Sequence, residues 1–391
     1  MTMLRYFTSG ESHGEGLVAF LSGLPAGMKV NQAFLDRELW RRQQGYGRGG
    51  RMKIESDKAH ILSGVRQGKT IGSPIAVLLE NKDWKNWTES LPVEEGDPKK
   101  HKPVASPRPG HADLAGALKY NFSEARYVLE RASARESAAR VAIGALAKLF
   151  LRALGMDVLS HVVAVGGASL KQELCWDRIA ALAERNEVLL NCAEPETEQH
   201  MKEEVDKALK TGDSVGGVFE VIAHRVPPGL GTYAQWDERL DALLASAVMS
   251  LQAVKAVEIG SGVTAAASPG SAVHDEINYG GSGFTAFTRS RNNAGGIEGG
   301  VSNGEDIRVR GYLKPISTLR RPLQSVDFAT REPVKAAYER SDVCVVPAAG
   351  VAAEAMVALT LARCALEKFG GDSMPETLRN FTGYVEQLKN Y

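Results

Sequence analysis

Residues 124–155 read EARYVLERASARESAARVAIGALAKLFLRALG, the strongest helix signal in the chain. Alanine, leucine and arginine all propagate a helix well, and Gly155 supplies a residue that tolerates the left-handed conformation at a helix end. The stretch predicts one helix over Glu124–Leu154. Working outward, a helical rhythm covers 31–43, where Phe34, Leu35 and Leu39 share a face behind an Asn31 cap and Gly45 ends the run. Further helical patterns fall at 237–255, 332–340 and 349–369. Strand-like runs fall at 161–166, 216–224, 256–264 and 307–313. Glycine, about one residue in ten (40 of 391), punctuates the junctions, which favours a mixed α/β fold. Residues 82–110 are polar and hold Pro92, Pro98, Pro103, Pro107 and Pro109, so they predict a long irregular loop, a candidate lid.

Composition narrows the function classes. With 43% hydrophobic and 24% charged residues the chain is an ordinary globular protein, and its 47 basic and 47 acidic side chains cancel. Any basic site is therefore a local concentration of charge, which weakens a general nucleic-acid reading. Four cysteines, Cys175, Cys192, Cys344 and Cys364, are too widely spaced for a metal knuckle or a redox pair, and no metal is expected. The amino terminus enters a strand-like run without an apolar signal core, and no long uninterrupted apolar stretch follows, so a cytoplasmic protein with no membrane partner is expected.

Two glycine-rich stretches are decoys. Gly45–Gly50 spells G-x-G-x-x-G but follows a helix, whereas the dinucleotide fingerprint follows a strand. Gly64–Thr70 falls one residue short of a P-loop, and Ile71–Leu79 after it reads as a turn and strand because Pro74 would sit in the first turns of the required helix.

Seven constellations carry chemistry. SGESHG at 9–14 places Ser12 and His13 in a tight glycine-flanked turn. Residues 41–53 hold five cations and no acid, and their arginines match phosphate and carboxylate oxygens in pairs. In RASARES (131–137), Arg131 and Arg135 stand four apart, so a continuous helix would project both guanidiniums from one face. PRPGHAD (107–113) sets His111 beside Arg108 in a proline turn, a second imidazole able to work near neutral pH. Downstream, NNAGGIEGG (292–300) offers a small-residue surface for a flat ligand, KPIST (314–318) a cation with two hydroxyls, and Arg340-Ser341-Asp342 a carboxylate beside an arginine.

Together these motifs, in order from Gly10 to Met356, resemble the chorismate synthase family over about nine tenths of the chain. The resemblance implies a single large domain, 1–391, with a β-α-β sandwich fold in which helices lie between two antiparallel sheets, assembled as a homotetramer. It implies 1,4-elimination of phosphate and a proton from 5-enolpyruvylshikimate 3-phosphate to give chorismate, with reduced FMN (FMNH2) as cofactor. His13, His111 and Asp342 would be the acid-base groups, oriented by Ser12 and Ser133. Arg42, Arg48, Arg135 and Arg340 would hold substrate. Flavin contacts would fall to Arg131, Ala132, Ser133, Gln252, Ala253, Gly299, Lys314, Pro315, Ile316, Ser317, Thr318 and Arg340. The family usually has threonine where this chain has Ser137. The length suggests a member fed by an external flavin reductase, with NADPH only an indirect reductant. Rival readings are a bifunctional enzyme that reduces its own FMN with NADPH, and an RNA-binding protein built on the 41–53 tract.

Overall fold

The helix expected over Glu124–Leu154 is two helices. In the computed structural model, which describes residues 4–49, 56–339 and 342–391, α3 spans Arg126–Ala132 and α4 spans Ser137–Ala153. Between them Ser133 is extended (φ −60°, ψ 139°) and its side chain accepts from the Arg135 amide, a local bond that competes with helix continuation. A single 3-10 turn, Ala134–Glu136, links the two. Arg131 and Arg135 therefore share no helix face.

Most of α4 is buried, with Ala138, Ala142, Ile143, Leu146 and Phe150 fully so, and it lies inside the molecule. One side meets an antiparallel four-stranded sheet made of Arg5–Ser9, Gly16–Ser22, Ile75–Glu80 and His60–Ile61, in that spatial order. Its other side meets the long helix Val346–Phe369, which packs in turn on the antiparallel five-stranded sheet Val254–Ile259, Ile307–Leu313, Gly217–His224, Asp157–Val165 and Ala168–Ser169. Gly144 permits the close helix crossing: a Cβ there would stand 2.2 Å from Ala355 Cβ. α1 (Gln32–Gln43), capped by Asn31 as expected, joins the same layer.

Other expectations shift. The 237–255 helix covers only Leu240–Met249, the strand expected at 256–264 runs over Val254–Ile259 and gives way to a short helix, and 332–340 holds the strand Pro333–Lys335 of a hairpin with Gln324–Val326. Pro333 has no N–H for a helix and sits in an edge pair, where none is needed. Residues 82–110 are irregular apart from two 3-10 turns, at Trp84–Asn86 and Pro98–Lys100. The near P-loop is a hairpin, Val65–Arg66 with Lys69–Thr70. The Val346–Phe369 helix is long and apolar enough to cross a bilayer by length and composition, though Glu354 and Arg363 interrupt it, and 89% of its apolar window is buried inside the protein.

Candidate active site

The SGESHG motif closes the first hairpin, Arg5–Ser9 with Gly16–Ser22. Gly10, at φ +100°, crosses so close to the returning strand that a Cβ would meet Gly16 O at 2.3 Å. Asn81, at the end of the next strand, pins the turn by donating to the Glu11 and Gly14 carbonyls at 3.1 and 2.7 Å. His13 is thereby delivered to α3. Its Nδ1 stands 2.9 Å from Glu130 Oε1, its amide donates to Glu130 Oε2 at 2.7 Å, and its ring stacks on Trp87 at 4.1 Å. Burial pushes the Glu130 carboxyl up, but bonding and charge from His13, with Arg126, outweigh it and hold it below the usual carboxylate range. Ser12 donates to Ser133 Oγ at 3.1 Å, so these two predicted partners meet.

Beside this turn lie the buried arginines. Arg135 Nη1 donates to both oxygens of Asp57 at 2.7 Å and its Nε to Asn81 at 2.9 Å. Arg42 donates to Ser137 Oγ and the Ala134 carbonyl, with Nη1 3.5 Å from Asp57. Burial, reinforced by Arg135 and Arg48 against the pull of Asp57, brings Arg42 down to about 10. Arg42 Nη1 and Arg135 Nη2 are buried without a hydrogen-bond partner among the described residues. Unmatched buried N–H groups on cations are costly, and an anionic ligand would satisfy them. Arg48 pairs with Asp342 at 3.0 Å, and the Gly49 amide donates to the same carboxylate at 2.6 Å. Arg340 lies outside the described residues.

His111 belongs to a second group. Its Nδ1 stands 2.5 Å from Asp113 Oδ1, and Asp113 takes a fork from Arg108 Nε (2.8 Å) and Nη2 (3.0 Å). Burial opposes ionisation of Asp113, yet His111 and Arg108 hold its carboxyl far below the ordinary value. Arg108 Nη1 donates to Thr318 Oγ1 at 2.9 Å and Lys314 Nζ to the Gly110 carbonyl at 2.8 Å, which joins KPIST to the proline turn. Ile316 accepts from Ser214, and Ser317 Cβ and Pro315 line close approaches to Gly110 and Gly216.

The remaining predicted residues are dispersed. Gln252 donates to Glu136, which also accepts from Thr8 and Arg140, and Ala253, at φ +69°, accepts from the Lys314 amide. Arg131 turns outward to clasp the Thr8 and Gly10 carbonyls, and Ala132 closes α3. The 292–300 tract is not a flat platform: Gly295 and Gly296 press on Gly260 and Asp306, and only Glu298 and Gly299 of it are exposed apart from partly covered residues 292–294. Gly299 sits at a hairpin tip whose bonds run to Gly231 and Leu240. Sequence reasoning missed Asp57, Asn81, Trp87, Arg108, Asp113 and Glu130 as site residues; only the adjacency of Arg108 and Asp113 to His111 offered a signal.

Comparison with known proteins agrees with this geometry. Residues 4–366 match the sequence model of the chorismate synthase family. The chain is 74% identical to the chorismate synthase of Koribacter versatilis and 70% identical to that of Acidobacterium capsulatum, in both cases over all of each chain. A crystal structure of chorismate synthase, 40% identical, superposes with a TM-score of 0.79 over 100% of this chain and 99% of that one. With its motifs gathered on this fold, the chain belongs to the chorismate synthase family.

Proposed function

We propose that the chain carries out its family's reaction, elimination of phosphate and a proton from 5-enolpyruvylshikimate 3-phosphate to give chorismate, with His13, His111 and Asp342 as its acid-base groups. The observation that supports this reading is the pair of buried, unmatched N–H groups on Arg42 and Arg135, the latter bonded to the Asn81 that pins the His13 turn. A substrate with two carboxylates and a phosphate supplies the acceptors they lack. Arg42, Arg48 and Arg135 bind and orient it, His111 holds a proton for the departing phosphate, Asp342 assists removal of the substrate proton, and Ser12 and Ser133 orient His13.

The residues present also suit a reduced flavin. Lys314, whose ammonium is pushed down by burial and then by Lys255, lies with Ser317 and Thr318 next to His111, and Gln252 and Ala253 are tied to the same segment. These, with Arg131, Ala132, Ser133, Gly299 and Arg340, are the proposed FMN contacts. When bound, reduced FMN supplies electron density as phosphate leaves. His13 holds or shares a proton at the flavin.

The layered packing of α4 and the Val346–Phe369 helix between two antiparallel sheets supports the β-α-β sandwich reading over a single domain. Family resemblance supports a cytoplasmic homotetramer fed by an external flavin reductase. The test is phosphate release from 5-enolpyruvylshikimate 3-phosphate under anaerobic conditions, with chemically reduced FMN and an oxidised-FMN control. Equal release of phosphate and chorismate only with reduced flavin is expected. No release from folded, flavin-binding protein would overturn the proposal, and steady NADPH oxidation with FMN would overturn the need for an external reductase.

A further inference from the structure

Two histidines from separate loops are held by the same device. Each presents Nδ1 to a carboxylate, Glu130 at 2.9 Å for His13 and Asp113 at 2.5 Å for His111. Each carboxylate is buried and gripped by an arginine a turn away in sequence, Arg126 at 3.4 Å and Arg108 at 2.8 Å. The supports are otherwise unrelated, since one carboxylate sits inside α3 and the other in the first turn of α2 (Asp113–Tyr120).

We propose that Glu130 and Asp113 are positioning residues, each of which fixes its histidine through Nδ1 and stabilises the charged ring, making Nε2 the nitrogen that gives up the proton. An ionised carboxylate only accepts, so the His13 nitrogen facing Glu130 carries hydrogen in the neutral and the charged imidazole alike; at His111, where Nδ1 also faces the donor-only Arg108 Nη2 at 3.0 Å, the shorter 2.5 Å contact to Asp113 selects the same tautomer. Neutralising the carboxylate removes the anion that faces the ring. Both carboxyls are held ionised by their histidine and arginine in spite of burial. Among the described residues, the charged groups around His13 include Glu130 from α3, the Arg126 that grips it, and Lys102 lying over the same Trp87 ring on which His13 stacks. Those around His111 include Asp113 and Arg108, whose Nη2 stands 3.0 Å from Nδ1, with Lys314 bonded to the adjacent Gly110 carbonyl. In both places the carboxylate is the anion facing the ring amid cations, so its neutralisation disfavours the charged ring.

This inference rests on the reading of both histidines as proton-handling groups, and the test separates the two. Exchange of the histidine C2 hydrogen with solvent deuterium, followed by peptide mass spectrometry across pH, gives a titration midpoint for each histidine without any turnover. Glu130→Gln is expected to lower the His13 midpoint by about one pH unit or more and leave His111 in place; Asp113→Asn is expected to do the reverse. The high-pH limb of kcat should move down with them. Midpoints unchanged in variants with native circular dichroism overturn the inference, and each pair is a test by itself if the other variant does not fold. If the midpoints move as expected while His13→Asn and His111→Asn keep full kcat, the catalytic assignment fails and the positioning device stands.

Discussion

In the proposed reaction His111 and Arg48 have different work, and substitution separates them. A general acid acts mainly in the transition state, so His111→Ala is expected to lower kcat about 10²- to 10⁴-fold with little change in KM. Steady-state kinetics with reduced FMN check this; a raised KM at unchanged kcat would make His111 a binding group. Arg48→Ala should chiefly raise KM if, as proposed, Arg48, which pairs with Asp342, offers its guanidinium to the substrate's anions. Loss of Asp57 should cost stability. The residue is buried against Arg135 and Arg42, and removing one partner of a buried pair leaves an uncompensated charge, so Asp57→Ala should destabilise the fold by about 3–5 kcal/mol in urea unfolding. Substrate at saturating concentration should restore part of that stability, since its anions occupy the arginines and binding to the native state alone raises stability.

Elements meet through small residues and one loop. Because a Cβ on Gly144 would fall 2.2 Å from Ala355 Cβ, the central helix pair cannot absorb even one methyl without moving apart. Gly144→Ala should lower the unfolding free energy by about 1–3 kcal/mol despite alanine's better helix propensity, and a neutral or raised urea midpoint would show that the helices slide freely. The 82–110 loop reaches the site through Trp87 on His13 and through Lys102, whose carbonyl accepts from Arg126 at 2.7 Å. If this loop is a lid, FMN and substrate together should slow its proteolysis several-fold, and an unchanged cleavage rate there argues against closure.

The whole molecule carries an unusual number of buried carboxylates. Glu38 and Glu354 share Arg41 and Lys148 between α1, α4 and the Val346–Phe369 helix, at 2.6–3.0 Å. Burial opposes the ionisation of Glu38, but Arg41 and Lys148 bring it to about 2. Glu220, among His161, Arg308 and Arg310, also lies near 2, against the same burial. Both are depressed from an unfolded value of about 4.3. The stability they contribute is complete above that value and is lost as pH falls through it toward 2. Thermal unfolding should therefore drop steadily between pH 5 and pH 2.5, and a flat profile would contradict these ion clusters.

The sequence by itself determined the mixed α/β class, the helices at 31–43 and within 137–153 and 346–369, the irregular loop, and the short motifs that identify the family. These are local properties: propensity, capping, periodicity and residue type at fixed spacing. Tertiary structure decided the rest. The break at Ser133 turns Arg131 outward and Arg135 inward, because a side-chain bond to the Arg135 amide and a buried Asp57 outweigh the helix propensity of the alanine-rich run. Pro333 took a strand edge where the periodicity suggested a helix, and Gly295 and Gly296 of the 292–300 tract were needed for close backbone contact with Gly260 and Asp306. Glu130, Trp87, Asp57 and Asn81 stand 117, 74, 78 and 67 positions from the partners they hold. No local pattern brings such pairs together; only the burial of the charges they satisfy does, and that exists only once the sheets and helices have packed.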